Sequence, residues 1–164
     1  MMKRTTLTVL TAVFLLFALF GSASAQKLMI NPQEFYDKFC RIASETYGGR
    51  FCTSVLSSGS SGYTFSTIGS FTVTLKSASA TKDMSLATLK MPDSVSLQSK
   101  EARTAMYAHF LTADNNIFAS ESTFSILDDY VKSVGTRLGK ELKYDRIRIL
   151  SEKKGGYYLM QAYK

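Results

Sequence analysis

The sequence predicts an α+β fold with a mainly antiparallel sheet of about four to six strands, three helices and a C-terminal β-hairpin. Three observations favour this class. Apolar residues recur at three- and four-residue steps in three segments, as in amphipathic helices. They recur at two-residue steps in several other segments, as in half-buried strands. The strand-like segments also follow one another in runs instead of alternating with helices, which is typical of an antiparallel sheet.

The first helix has a marked beginning and end. Asn31 is a suitable N-cap, Pro32 fits the first helical position, and Glu34 completes a capping-box pattern. Gly48 follows the last periodic residue, where glycine commonly ends a helix. The predicted apolar face consists of Phe35, Phe39, Ile42, Ala43, Thr46 and Tyr47.

A run of strand-like segments follows. Residues 51–56 have strand composition, and the Ser- and Gly-rich residues 57–62 are predicted to form a flexible loop. Residues 63–68 predict a short strand, and residues 71–76 alternate apolar with polar side chains. Residues 84–91 predict one more strand, which Pro92 and Asp93 close.

Two helices and a hairpin complete the chain. The second helix begins near Ser96 or Ser99 and ends near Asp114. The third begins near Ser120 and ends at Gly139. Their predicted apolar faces are Ala102, Met106, His109, Phe110 and Ala113 in the second helix, and Phe124, Leu127, Val131, Val134 and Leu138 in the third. Residues 146–149 and 157–163 predict the two hairpin strands, with residues 152–156 as the turn.

Residues 1–25 have the composition of a cleavable secretory signal peptide. Lys3 and Arg4 precede an apolar stretch over residues 9–20, and Ala23 and Ala25 form a small-residue cleavage site. The apolar stretch is shorter than the roughly 20 residues of a spanning helix, and no later segment approaches that length. We therefore expect a single domain over residues 26–164, exported to the periplasm or the extracellular space.

Cys40 and Cys52 are the only cysteines. In an oxidising compartment such a pair usually forms a structural disulfide, which here would tie the first helix to the segment beginning at Phe51. A redox pair or a metal site are the alternatives. Redox pairs are normally two residues apart, and a metal site needs more Cys or His ligands than this chain has.

The sequence carries no motif that identifies an enzyme. His109 is the only histidine and falls on the apolar side of a predicted helix, where a packed core residue is the simpler interpretation. No nucleophile elbow, phosphate-binding loop or dinucleotide fingerprint is present. We expect no cofactor and no metal, and we favour a non-enzymatic role. A hydrolase-like site near His109 and a structural subunit of an envelope assembly remain the alternatives.

Positive charge is concentrated at the C-terminus. Without the signal peptide the chain carries 18 basic and 13 acidic residues, and residues 132–164 alone carry nine basic and three acidic ones. This asymmetry predicts a binding module that engages a protein or an anionic envelope component, and disfavours nucleic acid, which exported proteins seldom meet. A solvated face that protects an edge strand is the simpler alternative. The candidate binding residues are Arg146, Arg148, Lys153, Lys154 and Tyr157.

Overall fold

The computed structural model describes residues 26–114, 125, 128–132, 134–144 and 147–164, so the predicted signal peptide lies outside it. Two helices have defined bounds, α1 (Pro32–Tyr47) and α2 (Lys100–Ala113), and residues 125 and 128–132 belong to a third helix, α3. The strands are β1 (Ser57–Gly59), β2 (Gly62–Thr67), β3 (Phe71–Lys76), β4 (Leu86–Pro92), β5 (Glu141–Tyr144), β6 (Ile147–Lys154) and β7 (Tyr157–Tyr163). None of the described helices is long and apolar enough to cross a bilayer.

All seven strands join one antiparallel sheet in the order β1-β2-β3-β4-β7-β6-β5. Each neighbouring pair within β1 to β4, and within β5 to β7, is consecutive in the chain. The pairing of β4 with β7 joins these two meanders through residues 87–92 and 157–162. The predicted α+β class and C-terminal hairpin are confirmed, and the sheet has more strands than the four to six that we expected.

The capping signals of α1 act as the sequence predicts. The Asn31 side-chain oxygen accepts a hydrogen bond from the Glu34 N–H (2.9 Å), and Glu34 accepts one from the Asn31 N–H (3.5 Å). Gly48 ends the helix in the left-handed conformation that glycine adopts without strain (φ 83°). Phe35, Phe39 and Ala43 are fully buried, so most of the predicted apolar face packs on the core, whereas Thr46 at its end is exposed.

The helices cover one face of the sheet. Alternate strand residues point toward them, and the central row of this inner face consists of Phe65, Val73, Leu89 and Met160, all buried. All five apolar-face residues predicted for α2 are buried, and Ala105 and Ala108 are buried as well, so α2 packs over a wider arc than predicted. Asp128 of α3 accepts hydrogen bonds from Arg103 and Tyr107 of α2, which links these two helices.

The predicted disulfide is present between Cys40 of α1 and Cys52, with 5.6 Å between their Cα atoms. Cys52 also forms an isolated antiparallel bridge with Thr67, at the end of β2. The covalent link therefore connects the helix layer to the edge region of the sheet. Since both sulfurs are bonded to each other, neither cysteine is a free thiol that could bind a metal ion.

Two predictions about the first half of the sheet are wrong. Residues 51–56 do not form a strand, because their backbone contacts with residues 66–68 amount to a single β-bridge, between Cys52 and Thr67. The predicted loop instead contains β1, in which Ser57 lies opposite Thr64 and Ser58 lies opposite Tyr63. Backbone pairing across a tight turn creates this strand, since its own side chains are exposed and supply no apolar face.

The C-terminal part also differs from expectation. The third helix does not continue to Gly139, because Val134–Thr136 is a 3-10 turn and Leu138 lies in the following turn. Two of its predicted core residues, Phe124 and Leu127, lie outside the described residues. The strand β5 was not predicted. The hairpin turn is narrower than residues 152–156, with Gly155 and Gly156 both at positive φ (59° and 80°), as a two-residue hairpin turn requires.

Removal of the disulfide should destabilise the fold without changing its architecture. The bond closes a segment with a sequence separation of 12. We expect the Cys40→Ala, Cys52→Ala double variant to lose about 3 kcal/mol of unfolding free energy, because cross-linking restricts the unfolded chain. Urea denaturation measures this loss, and the parent protein under dithiothreitol keeps both sulfurs and is the control. Equal unfolding midpoints for oxidised parent, reduced parent and double variant would contradict the expectation.

Candidate binding surface

The sheet surface that faces away from the helices is called the outer face. Its strand residues are the positions that alternate with the buried ones, and each of them is partly or fully exposed in the described strands. Antiparallel sheets commonly pack one face on a core and leave the other in solvent. The outer face is therefore an open surface that extends over all seven described strands.

The middle of the outer face is polar. Thr74 of β3 lies opposite Thr64 of β2 and Thr88 of β4, and Thr88 lies opposite Gln161 of β7. Leu150 of β6 continues this row toward the other edge of the sheet. Short hydroxyl and amide side chains give a flat surface with hydrogen-bonding groups, so the open face does not expose a continuous apolar area at its centre.

A lysine and a tyrosine meet on the outer face where β4 pairs with β7. The Lys90 ammonium lies 3.8 Å from the centroid of the Tyr157 ring, within the range of a cation–π contact. Tyr157 is 36% exposed and lies opposite Pro92 on one side and Lys154 on the other. This cluster, called the Lys90–Tyr157 patch, combines two cations with an aromatic ring and has no carboxylate partner among the described contacts.

Arg148 lies at the other end of the hairpin, in a small polar network. Its guanidinium is 3.7 Å from the Glu141 carboxylate, and the Tyr163 hydroxyl donates a 2.7 Å hydrogen bond to the same carboxylate. This hydrogen bond raises the pKa of Tyr163, so the hydroxyl stays protonated at neutral pH. The Arg148 charge is thus partly balanced by a carboxylate. In this respect Arg148 differs from the two lysines of the Lys90–Tyr157 patch, Lys90 and Lys154, which have no carboxylate partner among the described contacts.

Lys153 belongs to the hairpin but not to the outer face. Its ammonium lies 3.3 Å from Asp93 and 5.5 Å from the centroid of the Tyr158 ring. Lys154, the next residue, is exposed on the outer-face side and forms no ion pair with another described residue. The two adjacent lysines therefore have different roles, since one joins the hairpin to the end of β4 and the other faces solvent.

The structure describes four of the five predicted binding residues and does not bring these four together. Arg146 lies outside the described residues. Arg148 and Lys154 are six positions apart on one strand, which corresponds to about 20 Å at the usual rise per residue. Only Lys154 and Tyr157 come together, and they are joined by Lys90, which was not among the predicted binding residues. The alternation of β4 marks Lys90 as an outward residue, but only the pairing of β4 with β7 reveals its neighbours.

Charge on the outer face is predominantly positive. Among the described strand residues that point outward, two are acidic, Glu141 and Glu152. Five are basic, and these are Lys76, Lys90, Lys143, Arg148 and Lys154. They lie on four different strands, so the positive charge extends across the sheet and is not confined to the hairpin.

His109 is part of the core. It is fully buried, its Nε2 lies 3.1 Å from the Ala87 carbonyl oxygen, and its ring packs edge-on against Phe35. A carbonyl only accepts, so Nε2 carries the proton and Nδ1 is left without a partner in the described structure. Burial lowers the pKa of His109 to about 4, which keeps the ring neutral at neutral pH. In this setting the histidine cannot reach a substrate without local opening of the core.

No group of three or more potential metal ligands occurs among the residues for which the structure gives positions. Comparison with known proteins adds no assignment to these observations: no family model, no curated protein and no solved structure matches this chain. The candidate surface is therefore defined by its geometry and charge alone.

Burial of a neutral histidine should make stability depend on pH in a defined window. The unfolded state takes up a proton below about pH 6.5, whereas folded His109 takes it up only near pH 4, so stability falls as the pH decreases between these values. The shift corresponds to about 3 kcal/mol. We expect His109→Gln to remove this part of the pH dependence in urea denaturation. If the unfolding free energies of the parent and the variant changed in parallel from pH 7 to pH 4, the His109 ring would not be held neutral in the folded protein.

Proposed function

We propose that this protein is an exported binding module whose outer face docks on an anionic macromolecule, either a protein or an envelope component. The observation that carries the proposal is the open outer face with five cations against two carboxylates. This retains the sequence-based hypothesis of a basic C-terminal hairpin and extends the binding surface to β3, β4 and β5. The proposal gives nucleic acid no role, because the chain is expected to act outside the cytoplasm.

The dimensions of the outer face suit a macromolecule better than a small ligand. Seven strands spaced about 4.8 Å apart span about 30 Å, and strands of about six residues extend about 20 Å. The resulting area of roughly 600 Å² approaches the 800 Å² that each partner contributes to an interface of ordinary size. An open sheet face of this kind surrounds a small molecule poorly, whereas it can oppose another surface.

The chemistry of the Lys90–Tyr157 patch also supports docking. Aromatic residues are enriched at interfaces because they combine a large contact area with a polar group, and Tyr157 is the most exposed aromatic ring of the outer face. Lys90 and Lys154 flank the Tyr157 ring without carboxylate partners in the described structure. An acidic partner could therefore form ion pairs with both ammonium groups. Rim charges of this kind act mainly on the association rate and its salt dependence.

The two alternative functions have less support. A hydrolase-like site near His109 would need an accessible base, and the ring is fully buried against Phe35. A structural subunit would present a continuous apolar surface. The large apolar residues exposed in the described chain are Met29, Val55 and Tyr157, which belong to three separate segments.

Export is part of the proposal, and the Cys40–Cys52 disulfide supports it because such bonds persist in oxidising compartments. If residues 1–25 are a signal peptide, the protein purified from its host begins at Gln26. Intact-mass measurement and N-terminal sequencing check this expectation. A chain that retains Met1 and stays in the cytoplasmic fraction would contradict the export proposal. This result would not bear on whether the outer face docks on a partner.

Docking can be tested with photo-crosslinking residues in the native host. We expect probes at Thr74 and Thr88 to capture one common partner, and a probe at Glu45, exposed on the far side of α1, to miss it. Lys90→Glu with Lys154→Glu should abolish capture, and weaken binding to the purified partner by about tenfold or more at low salt.

The matched control is Lys27→Glu with Lys82→Glu, which changes the net charge equally but alters exposed residues away from the strands. This control should bind like the parent protein. Equal weakening in both double variants would indicate a general charge effect, and capture from Glu45 as efficient as from Thr74 would contradict docking on the outer face.

A further inference from the structure

A small cavity lies beneath the edge strand β5, on the inner side of the sheet. It has a volume of about 220 Å³ and lies between α3, the Val134–Thr136 turn, β5 and β6. Its lining includes Tyr130, Val134, Leu142 and Ser151, all of which belong to or pack against the core. Its walls lie mainly on the inner side of the sheet, because Leu142 and Ser151 are inner-face residues of their strands, and Glu141 is the one outer-face strand residue in its lining.

Two buried hydroxyl groups form one wall of the cavity. Tyr130 and Ser151 are 5% and 4% exposed, and their oxygens lie 3.1 Å apart. Burial raises the pKa of Tyr130, so its hydroxyl remains protonated and uncharged at neutral pH. The wall therefore supplies neutral hydrogen-bonding groups and carries no negative charge of its own.

Two cations line the opening of the cavity. Arg137 and Lys140 are exposed, and neither side chain has a carboxylate partner among the described residues. Glu141 also lines the cavity, but its two oxygens are already engaged by Arg148 (3.7 Å) and by the Tyr163 hydroxyl (2.7 Å). The positive charge at the opening is thus not compensated locally.

The backbone holds these cations against the sheet. The Gly139 N–H donates a 2.7 Å hydrogen bond to the Ser151 carbonyl, and the Lys140 N–H donates one to the Arg137 carbonyl (3.0 Å). Gly139 has a φ of 78°, a conformation that favours glycine. Because the turn is fastened to the same residue whose hydroxyl lines the cavity, the two cations and the hydroxyl pair are positioned together.

We propose that this cavity binds a small organic carboxylate. Its carboxylate group would lie between Arg137 and Lys140, and its apolar part would contact Val134 and Leu142. The cations provide charge-assisted hydrogen bonds, and the apolar walls favour an organic anion over sulfate or phosphate. The volume holds about seven water molecules at roughly 30 Å³ each, below the range of drug-sized sites, so the ligand is small.

Benzoate is a suitable probe, and the neutral isostere benzamide is its control. We titrate each into the protein purified from its host, following binding by calorimetry and the methyl signals of Val134 and Leu142 by NMR. Benzoate should shift both methyl signals through its ring current, and benzamide should bind about tenfold more weakly, which corresponds to about 1.4 kcal/mol.

Two double variants locate the site. Arg137→Gln with Lys140→Gln should weaken benzoate binding by about tenfold or more. Lys27→Gln with Lys82→Gln removes the same charge from exposed residues away from the cavity and should leave the affinity within about twofold of the parent protein. Neither double variant alters the outer face, so the result is independent of the proposed docking function.

Several results would overturn the proposal. These include the absence of benzoate binding to the parent protein, equal weakening in both double variants, and binding of sulfate that displaces benzoate with equal affinity. Binding without any change at Val134 and Leu142 would likewise overturn it, because the ligand would then occupy another place.

Discussion

The pairing of β4 with β7 is the constraint on which the rest of the structure depends. Every other strand pair is local in the chain, whereas this one joins residues between 65 and 75 positions apart. It aligns Leu89 with Met160 on the inner face and Lys90 with Leu159 on the outer face. A shift of the register by one residue would exchange these faces, and the helices would then cover lysine and threonine instead of the apolar core.

The same pairing determines where the basic residues of the C-terminal part lie in the fold. The basic residues are close together in sequence, yet the fold assigns them to separate environments. Arg137 and Lys140 line a cavity, Lys153 pairs with Asp93, and Lys154 joins the outer face. Lys90, from a segment with no charge excess, becomes a neighbour of Tyr157. The net charge therefore predicts an anionic partner. The strand order of the sheet determines which basic side chains are placed where they can contact that partner.

Local sequence signals predicted much of the fold. The capping box at Asn31, the alternation in β3 and the disulfide were all readable because each depends on neighbouring residues or on a single pair of cysteines. The strand β5 carried a readable signal as well, since Leu142 and Tyr144 alternate with charged residues, but four residues are too few to outweigh the adjacent helical pattern.

Other features depend on partners that no local pattern names. The Ser-rich β1 becomes a strand because β2 folds back against it, and its composition alone indicates a loop. The Lys90–Tyr157 contact and the Tyr130–Ser151 hydroxyl pair each join elements that are distant in the chain. For this reason the sequence predicted a basic hairpin as the candidate site, whereas the structure defines a face and a cavity.

The openness of the outer face is the claim on which the proposed function rests. Paramagnetic relaxation by a soluble gadolinium chelate, measured on the methyl groups of the purified protein, tests it most directly. We expect strong relaxation at Thr72, Thr74 and Thr88, with Val73 and Leu89 protected as buried controls. Protection of the threonine methyl groups to the level of Val73 would mean that the face is covered, and docking on it would be excluded.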